Sequence, residues 1–412
     1  MKKPLVVLFM LALITGYSFS QWVEQTSGVT TQLTSISAPD DNNVWICGYA
    51  GVVKRSTNGG TNWTSTTSPA AEDLYNIYAV DGNVALTTSS PAATNVYRTS
   101  NGGTSWSLVF TQAGGFMDAI WMTSATNGFM IGDPVGGRWS LWRTTNGGIN
   151  WDSTGLYVPQ VAAEAGWNNS LYISGNSIYF GTNTNRIYYS SNNGANWTSQ
   201  TTPAANQYAI WFNNASVGLS GGAALYSTVN SGTTWANMTA LGTGNVSGIT
   251  GIGTTWYFVR QANLIFKSTN NGTTWTTDYT GTVGNQYLHI ARSRTGTRMW
   301  ATTATGGISK SEGAVGIAPI SNEVPSTFGL EQNYPNPFNP STIFKFNVPT
   351  ASNVSLKIYD MLGNEITTLV NENLQSGVYE VKFDASTLSS GVYFYSLNAG
   401  SFTATKKMML VK

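Results

Sequence analysis

The residue types that carry most acid–base and covalent chemistry are nearly missing: there is one His (His289) and one Cys (Cys47). One His excludes a His-Glu-x-x-His zinc protease. One Cys excludes an intrachain disulfide and any Cys-based zinc or iron–sulfur cluster. His289 stands in an apolar run, Tyr287-Leu288-His289-Ile290-Ala291, which reads as a structural imidazole rather than a general base. Cys47, in Val44-Trp45-Ile46-Cys47, reads as a small buried hydrophobe. Gly218-Leu219-Ser220-Gly221-Gly222 has the spacing of a nucleophile elbow, but an elbow needs a strand–turn–helix setting. The segment reads instead as a glycine-rich hairpin at a strand turn.

Carboxylates are the remaining option. Residues 21–312 hold only twelve acids, and Asp40-Asp41 and Asp81-Gly82 sit in turn sequences. Glycosidic hydrolysis needs two carboxyl groups roughly 5–9.5 Å apart, and Asp118, Asp133 and Glu164 are the better candidates. Gly132-Asp133-Pro134-Val135-Gly136-Gly137-Arg138-Trp139 is a long, charged, Trp-bearing loop, and loops that depart from their surroundings often carry binding. Asp118, Asp133, Arg138 and Trp139, with Arg186 and Arg260 in comparable loops, form the candidate binding set. Trp167 and Tyr208 add stacking surface for a sugar ring or a peptide. The competing structural reading is an Asp133–Arg138 pair that only braces the hairpin. No metal site and no cofactor is expected.

The elements that must position these residues repeat. Ser56–Trp63 (Ser-Thr-Asn-Gly-Gly-Thr-Asn-Trp) recurs at Thr99–Trp106, Thr144–Trp151, Ser190–Trp197, Thr228–Trp235 and Ser268–Trp275. A period near 40–45 residues is the length of a four-stranded propeller blade. Asn58, Asn101, Asn146, Asn192, Asn230 and Asn270, each followed by glycine, suit tight turns with backbone at φ > 0. Trp63, Trp106, Trp151, Trp197, Trp235 and Trp275 each offer a large flat surface to bury between blades. Leu33–Ser37, Val44–Tyr49, Val52–Ser56 and Asn62–Thr67 are the strands expected for the first copy. The last copy, His289–Ser311, has three strands and no turn octet. Gln21–Thr26, with Trp22 in register, supplies the missing fourth strand and removes the open sheet edges. Seven blades of about 42 residues fill 21–312, with six or eight as alternatives.

The octets resemble the Asp-box (BNR) repeat, with Asn in place of its Asp in every copy. The resemblance implies a propeller in which the boxes are structural and remote from the active face. Asp-box propellers include sialidases, but the Phe/Tyr-Arg-Ile-Pro motif of sialidases is missing. Arg55, Arg98 and Arg143 fall eight residues before a box Trp, a regularity that reads as scaffold. The repeats are also similar to those of the photosystem II assembly factor, whose role rests on a basic patch. Nine Arg and three Lys against twelve acids in the propeller make no obvious patch, so this resemblance reports the repeat rather than the role.

The ends of the chain differ. Residues 1–20 read as a signal peptide: Lys2 and Lys3, a ten-residue apolar run, then Ser18-Phe19-Ser20. The run is too short to span a bilayer comfortably, and no transmembrane helix is expected in the mature chain. Residues 313–326 read as a linker. Residues 327–412 read as six or seven short strands forming an Ig-like β-sandwich: Thr342–Val348, Val354–Tyr359, Glu365–Val370, Val378–Phe383, Val392–Leu397 and Thr403–Leu410. Asn333-Tyr334-Pro335-Asn336-Pro337-Phe338-Asn339-Pro340, Ile358–Gly363, Ser390–Tyr395 and Lys406–Leu410 resemble the C-terminal sorting domain of the type IX secretion system. The resemblance implies export through the periplasm of a Gram-negative bacterium to the cell surface or beyond, with the secretion machinery as partner.

Across its 412 residues the chain is 9% charged with a net charge of +1, against roughly 25% charged in ordinary globular proteins. Such a balance offers no electrostatic footprint for nucleic acid. The expectation is an all-β monomer, a seven-bladed propeller followed by a sandwich. Its expected function is non-catalytic binding of a glycan or a surface protein. A secreted glycoside hydrolase and an assembly scaffold are the alternatives.

Overall fold

The computed structural model describes residues 22–239, 241–311, 319–321, 325–374, 376–385 and 388–412. The expected signal peptide lies outside these residues. Every described regular element is a β-strand.

Seven antiparallel sheets cover Trp22–Ser311. Their first strands neighbour one another in chain order: Leu33–Ser37, Leu74–Ala79, Met117–Met122, Gly166–Ser174, Ala209–Phe212, Val246–Ile252 and Tyr287–Arg292, which returns to Leu33–Ser37. The result is a closed propeller ring. Six sheets have four strands. In the third, the fourth-strand position is taken by residues 152–159, which pair with Arg138–Thr144 through isolated bridges at Asp152 and Pro159. An Asx turn at Asp152, accepting from Thr154 N–H at 3.0 Å, and a proline without a donor interrupt the ladder there.

The seventh sheet closes as the sequence suggests. Trp22–Gln25 pairs antiparallel with Ile308–Ser311, register Trp22↔Ser311. Trp22 is buried against Tyr257 and donates its indole N–H to Asp278 Oδ2 at 2.8 Å. The first strand of the chain therefore ties the last sheet to its neighbour.

All six boxes follow the third strand of their sheet and share one hydrogen-bond pattern. In the first, Ser56 Oγ accepts from Gly60 N–H (2.7 Å) and Asn58 N–H (3.2 Å), and donates to Asn58 Oδ1 (2.9 Å). Asn58 Oδ1 also accepts from Asn62 N–H at 2.9 Å. Only one side-chain oxygen is needed at this position, so an amide suffices for the turn. Asn101, Asn230 and Asn270 use the amide further, donating Nδ2–H to the hydroxyl four residues on. Within the arginine register, Arg98 braces the next box: its Nε donates to Gly147 O at 2.7 Å.

Residues 319–412 form two four-stranded antiparallel sheets around one apolar core of Phe344, Phe346, Leu356, Tyr395 and Leu397 among others. The six strands expected here are present, each extended by a residue or more. The linker expectation needs correction: Pro319–Ser321 is an edge strand of this sandwich, paired with Gly377–Asp384. The Pro-rich motif fastens the final strand. Phe338 N–H donates to Met409 O at 2.9 Å, Val411 N–H to Phe338 O at 3.0 Å, and buried Asn333 binds Thr342 Oγ1 at 2.9 Å.

Candidate functional site

The centre of the ring is closed by polar side chains. The first strand of the fourth sheet bulges between Gly166 and Leu171, with Asn169 at φ 66°. That bulge projects Asn169 across the axis. Its Oδ1 accepts from Ser35 Oγ (2.8 Å) and Asn76 Nδ2 (2.6 Å), and its Nδ2 donates to Thr34 O (3.0 Å). Asn168 Nδ2 reaches Tyr75 O at 2.7 Å. His289 joins the same lining. Its Nδ1 accepts from Ile36 N–H at 3.2 Å, and burial pushes its pKa down to about 4. At neutral pH it is an uncharged structural imidazole, as its sequence setting suggests.

Beside this plug lies a cleft of about 630 Å³, lined by Asp118, Asp133, Gly166, Trp167, Asn168 and Asn183 among others. Sheet geometry explains the meeting of the two carboxylates. Asp118 is the extra residue of a bulge in Met117–Met122, where the register shifts between Met117↔Gly132 and Ala119↔Ile131. It therefore stands next to Asp133 on the adjacent strand. Asp133 Oδ1 accepts from Gly166 N–H at 2.6 Å. Asp118 is 1% exposed, and its Oδ2 has no hydrogen-bond partner. Burial, reinforced by the Asp133 charge, holds the Asp118 carboxyl well above the ordinary carboxylate range. Burial also raises Asp133, opposed by the Gly166 N–H. Among the described residues no Lys or Arg forms an ion pair with either.

Half-buried aromatic rings flank the carboxylates on both sides. Tyr49, Tyr75 and Phe116 run edge to face, with centroids 6.1 and 4.6 Å apart. Trp167 and Tyr208 pack at 4.3 Å. Phe116 and Trp167 both line the cleft.

Asp118 and Asp133 are thus brought together, while the rest of the expected binding set is not. Trp139 is 2% exposed and wedged against Phe180 (4.8 Å) and Tyr188 (5.7 Å), so it is core. Arg138 is exposed, and the next position, Trp139, lies on the opposite face of the strand, toward the core. Arg138 sits at the hairpin tip outside the cleft lining, and Asp133 turns to Gly166 rather than to it. Arg186 is committed to Glu164 at 2.6 Å. Glu164, whose side chain is fully buried, also accepts from Tyr188 OH (2.8 Å) and Thr184 Oγ1 (3.2 Å), so it is a structural acid. Arg260 is 3% exposed, lies over the Phe258 ring, and donates to the carbonyls of Leu241 (2.8 Å) and Gly244. Ser220 lies within strand Gly218–Gly221 rather than at its turn. It is fully buried and donates to Gln207 Oε1 at 2.6 Å, so its hydroxyl is held in the strand and is not presented at an elbow. Cys47 is buried, and its thiol pKa is pushed up to about 12 by that burial.

Sequence reasoning missed the Gly166–Asn169 bulge, Asn183 and the Tyr49–Tyr75–Phe116 arc. The available signal was Asn168-Asn169, two adjacent amides within one strand.

Comparison with known proteins bears on both halves. Residues 332–412 match the family described as the secretion system C-terminal sorting domain. That tail indicates handling by the type IX secretion machinery and export to the cell surface or the medium. No curated protein sequence matches the chain. Among solved structures, one titled YCF48 bound to D1 peptide is similar over 71% of this chain and 97% of its own, at 16% identity and a TM-score of 0.59. YCF48 from Cyanidioschyzon merolae is similar over 70% and 98%, at 18% identity and a TM-score of 0.57. At such identity the likeness carries the propeller fold alone. No helix among the described residues is long and apolar enough to cross a membrane.

Proposed function

We propose that the chain is an exported, non-catalytic binding protein whose ligand surface is the cleft between the third, fourth and fifth sheets. The observation that carries this reading is the cleft's make-up: two carboxylates and several amides set between aromatic rings on a rigid ring scaffold. Polar groups that fix orientation, with aromatic faces that supply contact area, are the ordinary composition of a ligand site. Catalysis is disfavoured by the groups at hand. The imidazole is spent on a backbone N–H, Ser220 is buried, and Glu164 is saturated. A glycan or a peptide fits this chemistry. A propeller of the same fold has been solved with a peptide bound.

The test is retention of a polysaccharide and peptide panel by the full chain, compared with Trp167→Ala. Retention that falls at least about tenfold in the variant supports the cleft. Retention unchanged by Trp167→Ala, or none at all, overturns it. Release of reducing ends that Asp133→Asn abolishes would replace binding with hydrolysis.

A further inference from the structure

Resting on the cleft as the binding surface, we propose that its ligand presents a single organic cation, the guanidinium or ammonium of an Arg or Lys side chain in a peptide. Two independent features point there. First, two carboxylates meet at one backbone position without a cation to neutralise them: Asp133 takes the Gly166 N–H, and Asp118 Oδ2 takes nothing. A buried acceptor without a hydrogen-bond partner is destabilising, so a donor on a ligand gains binding energy there. Asn168 Oδ1, another unpartnered acceptor, lines the same cleft. Trp167 Nε1, an unpartnered donor, lies beside these two acceptors.

Second, the flanking groups suit an organic cation better than a metal ion. Among the described residues no three His, Cys, Asp or Glu side chains converge to hold a metal. The rings of Phe116 and Trp167 instead line the walls, and ring faces attract guanidinium and ammonium groups within about 6 Å. A fork of N–H donors matches paired carboxylates. The cleft, at about 630 Å³, accommodates one side chain and its flanking peptide groups.

The experiment titrates the full chain with N-acetyl-arginine amide and with N-acetyl-citrulline amide, its uncharged near-isostere, followed by NMR or calorimetry. The expected result is binding of the arginine derivative at least about tenfold tighter than citrulline, with the preference lost in Asp133→Asn and Asp118→Asn. Equal binding of the two, or binding of neither, overturns the proposal. If the variants fail to fold, the wild-type comparison still decides. A parallel pair, glucosamine against N-acetylglucosamine, tests the source of the cation. Equal preference for the amino sugar overturns the peptide assignment. The two readings fail separately: panel retention lost in Trp167→Ala but blind to ligand charge sinks the cation and keeps the cleft.

Discussion

Asp118 and Gly166 compete for one volume: a Cβ placed on Gly166 would run into the Asp118 carboxylate. Glycine is required there by a neighbour, not by its own backbone angles. Gly166→Ala is expected to lower stability by about 1–3 kcal/mol, the usual range for overpacking. Asp118→Ala should make room, so the double variant should lose less than the sum of the singles. Thermal unfolding of the four proteins checks this, and strict additivity would refute the shared volume.

The raised Asp118 pKa fixes a direction for pH dependence. The folded carboxyl keeps its proton above the ordinary value of 3.8. Its contribution is therefore fully present below that value and is lost as pH climbs toward the raised one. Asp118→Asn has no proton to lose. Its stability should match the parent near pH 3 and exceed it near pH 7, by on the order of 1 kcal/mol. Denaturant midpoints at the two pH values measure the difference; a variant less stable than the parent at pH 7 contradicts the assignment.

Glu164 and Arg186 behave oppositely to the cleft acids. The Glu164 side chain is fully buried while that of Arg186 is 33% exposed. Removing the exposed partner strands the buried charge, so Arg186→Ala should cost about 3 kcal/mol. Glu164→Gln keeps an acceptor for the guanidinium and should cost less, about 1–2 kcal/mol. Neither should change retention of ligands by the cleft. The reverse order of stability would show that Arg186 is not the partner that matters.

How much was legible in the sequence follows from the length scale of each feature. The boxes are local: Ser56, Asn58, Gly60 and Asn62 satisfy one another within seven residues, so their chemistry is written in the octet. Ring closure was legible because Trp22 keeps the repeat's register. Asp118 and Asp133 were grouped in one candidate set, but the way they meet depends on a bulge that no local signal marks. The arginines misled for a physical reason. In a chain this poor in charge, a loop arginine looks free, yet Arg260 and Arg186 are consumed by carbonyls and by Glu164. Trp139 misled because the hairpin places alternate residues on opposite faces, and it falls on the inner one.

The closing strand makes the last prediction. Trp22–Gln25 covers the edge of Ile308–Ser311, and its grip has two further parts. Trp22 Nε1 binds Asp278, and Glu24 accepts from Thr282 N–H and Oγ1, each at 2.8 Å. Trp22→Ala removes a buried aromatic and should cost about 3–5 kcal/mol. Deleting residues 22–25 goes further, because it exposes the unpaired N–H and C=O row of Ile308–Ser311, a template for pairing with another chain. The deletion variant should unfold at lower temperature and form dimers or larger species, while Trp22→Ala stays monomeric but less stable. Light scattering after size exclusion separates these outcomes. A deletion variant that remains monomeric with an unchanged melting temperature would mean that the ring closes without its first strand.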